Sequence, residues 1–91
     1  AFNSWRDTTF TERAALLERV AERMEKNRTE INAVIIREVS KPWKEADADT
    51  AEAIDFLRYY AKLAREMEAP QKLGNYLGEE NLYWYEPRGV T

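Results

Sequence analysis

The chain has 91 residues and a formal net charge of -3, which allows one small domain with a modest core. It contains no Cys and no His, so a disulfide framework, a zinc site with soft ligands, a Cys or His nucleophile and a His general base are all excluded within these residues. Lys and Arg are interleaved with acids, leaving no basic stripe for a phosphate backbone, and no apolar run approaches the ~20 residues that span a bilayer.

Ala1 to Asp7 (AFNSWRD) shows no charged n-region followed by an apolar h-region, and a cytoplasmic protein without a membrane or nucleic-acid partner is expected. Phe2 and Trp5 sit three apart with no N-cap signal ahead of them, which reads as the end of a helix whose start is missing. Thr9 followed by Glu12 has the form of a capping box. A helix from about Phe10 to Lys26 follows, with Ala14, Leu17, Val20, Ala21 and Met24 as its apolar stripe. Asn27 and Glu30 repeat the capping pattern ahead of a shorter stripe, Ile31, Val34, Ile35 and Val39, so two antiparallel helices with a tight connection are expected. Ser40, Lys41 and Pro42 end the second of them.

Glu38 is out of place in that helix, since it falls between Ile31 and Val34 on the wheel. It either reaches out to water or lies partly buried and accepts hydrogen bonds from the amides around Trp43 to Glu45.

Glu45 to Glu68 is the organising stretch, a rod of ~35 Å at ~1.5 Å per residue. Ala46, Thr50, Ala53, Ile54, Leu57, Tyr60, Ala61 and Ala64 fall on one broad face, with Phe56, Leu63 and Met67 along its edge. Glu45, Asp47 and Asp49 open the helix and Arg58, Lys62 and Arg65 lie further on, the order its macrodipole favours. The expected fold is mainly α, antiparallel helices packed on this long helix, with a C-terminal β-strand. Pro70, Gly74, Asn75 and Gly78 mark a loop; Leu82, Tyr83, Trp84 and Tyr85 then read as a strand, and Val90 and Thr91 as the start of another. A lone aromatic strand needs a partner, either within the polypeptide or on another subunit.

KPWKEADADTAEAIDFLRYYA, preceded by AFNSW, ERAALLERVAERM and IREVSK and followed by YWYEPRGV, resembles the N-terminal helical region of the aldehyde dehydrogenase superfamily. EADAD and EAIDF most resemble the 1-pyrroline-5-carboxylate dehydrogenases, including the corresponding half of bifunctional proline-catabolic flavoenzymes. One departure is Ser40 in EVSK, where the family usually has Gly at the helix C-terminus. The resemblance implies an α/β enzyme that oxidises L-glutamate 5-semialdehyde with NAD, its reactive Cys and nucleotide site lying outside these residues, so that the 91 residues alone are inactive. It assigns residues 1–69 to the helical part of the N-terminal, cofactor-side domain, and 70–91 to a loop and strand leading to the oligomerisation hairpin and the nucleotide-binding sheet.

Glu52 is the one residue to which the resemblance gives a functional role, at the mouth of the aldehyde pocket, where a carboxylate can bond an ammonium-bearing substrate. On the wheel it sits at the edge of the polar face, one turn from Phe56 and two from Tyr59, and a plain solvated glutamate is the alternative. Leu82, Tyr83, Trp84 and Tyr85 resemble a strand that crosses to another subunit of a homo-oligomer; the alternative is an intrachain hairpin. Tyr59 and Tyr60 diverge by 100° and are expected to pack in a core. Two other identities compete: a free-standing helical interaction module, and an aldehyde dehydrogenase with a different substrate.

Overall fold

A computed structural model describes residues 2–89. Four helices, α1 (Phe2–Arg6), α2 (Phe10–Lys26), α3 (Arg28–Val39) and α4 (Trp43–Glu66), precede two short strands, β1 (Gln71–Lys72) and β2 (Leu82–Tyr83). The strand expected to begin at Val90 lies outside the described residues.

The capping box at the start of α2 forms in both directions. Thr9 Oγ1 accepts from the Glu12 amide at 3.1 Å, and the Thr9 amide donates to the Glu12 carboxylate at 2.9 Å. The Thr9 backbone N–H first, and its hydroxyl at 3.0 Å second, hold the Glu12 carboxyl below its ordinary range. Arg13 ties α1 down: its Nη2 donates to the Trp5 carbonyl at 2.7 Å, and its guanidinium stands 5.3 Å from the Trp5 ring centroid.

The junction after α2 differs from the expected reversal. Only Asn27 separates α2 from α3, and at φ -104°, ψ 18° it bends the chain without turning it back. Its side chain makes no cap bond; Nδ2 instead donates to the Arg23 carbonyl at 2.9 Å. The reversal comes at residues 40–42. Ser40 adopts the left-handed conformation at φ 56°, its amide bonding the Ile36 carbonyl at 2.9 Å, and Pro42 then starts α4. Both α2 and α3 pack on α4, α2 running antiparallel to it, while barely touching each other. The ion pairs show the direction of α2, Arg58 meeting Glu25 and Arg65 meeting Glu18, while Arg28 ties α3 to Asp47. Thr11 closes the far end, its amide donating to Glu68 at 2.6 Å.

Glu38 is exposed, and the amides of Glu45 and Ala46 go to the Pro42 carbonyl at 3.0 and 3.1 Å. The cap is not made: α4 has no side-chain cap bond, and the Glu38 side chain stays in solvent.

The buried set is small: Ala14 and Ala21 from α2, and Ala46, Thr50, Ile54 and Ala61 from α4, with Asn32 from α3. Alanine contacts let helix axes approach closely but bury little area each. Tyr59 and Tyr60, expected in the core, are each 55% exposed, since the alanine-lined contact buries small side chains and leaves the rings outside it. Phe56, Val20, Val34 and Val39 are exposed too, and the molecule is long, 62 × 30 × 22 Å. Apolar surface on this scale marks faces made to be covered.

The strand expected over Leu82 to Tyr85 covers only Leu82 and Tyr83, and its partner lies in the same chain. Gln71 pairs with Tyr83 and Lys72 with Leu82, antiparallel, so part of the stretch expected to be loop is strand. The ladder is short, and the Leu73 amide extends it by one bond to the Asn81 carbonyl at 2.8 Å. Gly74 and Gly78, both at positive φ, turn the intervening loop.

Candidate functional site

The long helix has two faces of different character. Inward, Ala46, Thr50, Ile54 and Ala61 are sealed against α2 and α3. Outward, Ala48, Ala51, Glu52, Asp55, Phe56 and Tyr59 line an open depression of about 590 Å³. The spacing explains the grouping: 48, 55, 56 and 59 lie four before, three after, four after and seven after Glu52, positions that share one helix face.

Glu52 sits in this depression and is exposed, as are Phe56 and Tyr59. Among the described residues no hydrogen bond or ion pair engages its carboxylate. The aromatic rim is ordered by its own contacts: Phe56 stacks on Tyr60 at 5.9 Å between centroids, and Tyr59 meets Tyr60 edge-on at 5.4 Å. A carboxylate beside π-faces on a small-residue floor suits an organic cation such as a primary ammonium. Glu52 and Phe56 were singled out by the sequence; Ala48, Ala51 and Asp55 were not, although their helical spacing from Glu52 was there to read.

Behind this surface lies a polar cluster that periodicity alone did not reveal. Asn32 is 1% and Thr50 2% exposed. The Thr50 hydroxyl points at Asn32 Oδ1, 2.6 Å away, with the Ala46 carbonyl at 3.1 Å. Asn32 Nδ2 donates to Asp47 Oδ1 at 2.8 Å, and Arg28 holds the same carboxylate through Nε and Nη2, each at 2.7 Å. The Arg28 guanidinium, with Asn32 second, keeps the Asp47 carboxyl below the ordinary range. Lys41 pairs with Asp49 on the neighbouring turn. One signal for Asn32 was present: it lies one turn from Arg28, Ile35 and Ile36 and two from Val39, at the centre of the stripe that faces α4.

The second exposed surface is the hairpin. Leu73, Tyr76, Leu82 and Trp84 line a depression of about 800 Å³ beside the strand pair. Tyr83 meets Tyr85 edge-on at 5.1 Å, and Trp84 Nε1 donates to Glu86 at 3.0 Å. All four of Leu82, Tyr83, Trp84 and Tyr85 are between 42% and 56% exposed. Among the described residues no cluster of three or more His, Cys, Asp and Glu side chains could hold a metal, and no helix is long and apolar enough to cross a membrane.

The long helix thus presents an outward carboxylate framed by aromatics, and a hairpin with exposed aromatics follows it. The chain belongs to the aldehyde dehydrogenase family, whose pattern it matches over residues 1–91. It is 47% identical over 91 residues to 1-pyrroline-5-carboxylate dehydrogenase 2 of Bacillus subtilis, and 46% identical over 91 residues to 1-pyrroline-5-carboxylate dehydrogenase of Bacillus pumilus. In each case the whole chain is covered, and it spans 18% of the relative's length. Its fold matches part of proline utilization A from Bdellovibrio bacteriovorus, with a TM-score of 0.87 and 42% identity over 94% of this chain and 9% of that one. The family uses NAD or NADP; the described residues contain no Gly-rich strand-to-helix turn that could cradle a dinucleotide, so they do not fit that cofactor themselves.

Proposed function

We propose that these residues are the N-terminal helical segment of a cytoplasmic, NAD-dependent 1-pyrroline-5-carboxylate dehydrogenase, which oxidises L-glutamate 5-semialdehyde to glutamate. The observation that carries this reading is the end-to-end similarity, at 46–47% identity, to enzymes named for that reaction. Enzymes named so match the entire chain, which favours this over a free-standing interaction module.

On this reading residues 1–69 form the helical part of the cofactor-side domain, and 70–91 lead into the oligomerisation hairpin and the nucleotide-binding sheet. The Cys nucleophile and the NAD site belong to other parts of the enzyme, where the cofactor takes up the hydride. Glu52 has a recognition role: its carboxylate bonds the substrate's ammonium at the pocket mouth, and Phe56 and Tyr59 shield that contact from water. The strand region Leu82 to Tyr85 supplies a contact between subunits of a homo-oligomer. Among the described residues the sheet has two strands, so the outer edge of each is open, and the aromatics of this region are exposed, as such a contact requires.

The test is a comparison of substrates in the full-length enzyme with NAD and with NADP. Glutamate semialdehyde is expected to have at least a tenfold higher kcat/KM than glutarate semialdehyde, which has the same chain and lacks the ammonium, and NAD is expected to be preferred. Equal specificity for the two aldehydes overturns the substrate assignment.

A further inference from the structure

The contact between α4 and its neighbours poses a problem of register. Ala14, Ala21, Ala46 and Ala61 make it close, yet apolar contacts between small side chains are non-directional and resist rotation of one helix on another only weakly. Hydrogen bonds are directional, weakening steeply as their angle departs from linearity. The only fully buried polar side chains among the described residues are Asn32 and Thr50, and they bond each other across this contact at 2.6 Å. Asn32 also reaches Asp47, so one side chain of α3 engages two positions on α4 a turn apart. Two anchors on one face fix both the height and the rotation of a helix.

Thr50 and Glu52 are two residues apart, which places them ~200° apart around the helix. The buried anchor and the exposed carboxylate are therefore on nearly opposite sides of the same turn. A rotation of ~20° moves a carboxylate lying ~6 Å from the helix axis by ~2 Å. Displacement of that size at a recognition group is enough to lose an oriented hydrogen bond.

We propose that the Asn32, Thr50 and Asp47 hydrogen-bond chain sets the rotation of α4 and thereby places Glu52 for the substrate's ammonium. Thr50 and Asn32 are positioning residues: neither reaches the outer face, and each acts through Glu52. The inference rests on the reading of Glu52 as the ammonium contact.

The test uses the full-length enzyme and two aldehydes of equal length, glutamate semialdehyde and glutarate semialdehyde. Thr50→Val keeps the side-chain shape and removes the hydroxyl. It is expected to raise KM for glutamate semialdehyde by about 5- to 20-fold with kcat within about twofold, and to leave KM for glutarate semialdehyde unchanged. Thr50→Ser, which restores the hydroxyl, is expected to return KM to within about twofold of the parent. In a Glu52→Gln background, Thr50→Val should add nothing further, because the two act on one contact. Should Thr50→Val fail to fold, Asp47→Ala at a partly exposed position gives the same signature at about 2- to 5-fold. Parallel losses on both aldehydes, or full additivity with Glu52→Gln, overturn the positioning role while leaving Glu52 in place. A Glu52→Gln enzyme with unchanged KM for glutamate semialdehyde overturns the reading of the site itself, and with it this inference.

Discussion

Arg28 grips both carboxylate oxygens of Asp47, with Nε and Nη2 each at 2.7 Å, and so fastens the first turn of α3 to the opening turns of α4. A bidentate guanidinium–carboxylate pair fixes orientation as well as distance. Because Asn32 donates to the same carboxylate, the surface pair and the buried Asn32–Thr50 bond form one connected unit.

That unit gives the protein an acid-sensitive joint. The Asp47 carboxyl is held below its unfolded value, chiefly by Arg28, and the Glu12 carboxyl likewise, chiefly by the Thr9 amide. A depressed carboxyl stabilises the fold at pH values above the unfolded pKa and loses that contribution as pH falls through the folded one. Urea midpoints are therefore expected to be flat from pH 7 to 5 and to drop below about pH 4. Asp47→Asn should flatten part of that acid limb; an identical limb in the variant counts against the joint.

Ser40 carries a backbone cost. At φ 56° it holds a conformation that L side chains favour poorly, with its amide committed to the Ile36 carbonyl. Ser40→Gly relieves this cost and gives some back through a freer unfolded chain, for a net stabilisation of about 0.5 kcal/mol. A rise of about 2–4 °C in the thermal midpoint of a domain of this size is the expected readout, and a fall contradicts it.

Glu38 has lost the capping role that the helical wheel suggested. It is exposed, and the amides of Glu45 and Ala46 are already bonded. Glu38→Ala is expected to change stability by no more than about 0.5 kcal/mol, the ordinary range for a surface site. A loss several times larger in thermal unfolding revives the cap.

Trp84 tests the hairpin. It is 56% exposed and stands just past the paired residues of β2. If Leu82 to Tyr85 meet another subunit, Trp84→Glu places a charge in an apolar contact, and the full-length enzyme should dissociate to smaller species in light scattering. An unaltered molar mass removes this strand from the interface.

What the sequence determined was local. The Thr9 and Glu12 capping box, the extent of α2 and the alternating character of α4 follow from i, i+3 and i, i+4 geometry, which any helix obeys regardless of its surroundings. The ordered segments also carried the family resemblance, since matching wording at matching spacing needs no coordinates. Only the tertiary structure decided that α3 continues alongside α4 instead of folding back on α2, because the choice rested on a single backbone conformation at Asn27. It alone joined Asn32 to Thr50, 18 residues away along the chain, and gave Leu82 and Tyr83 their partners in Gln71 and Lys72. Such pairings depend on which surfaces meet, and periodicity describes one element at a time. The same limit explains Tyr60: a wheel shows which side faces a neighbour, and the depth available there depends on the neighbour's side chains.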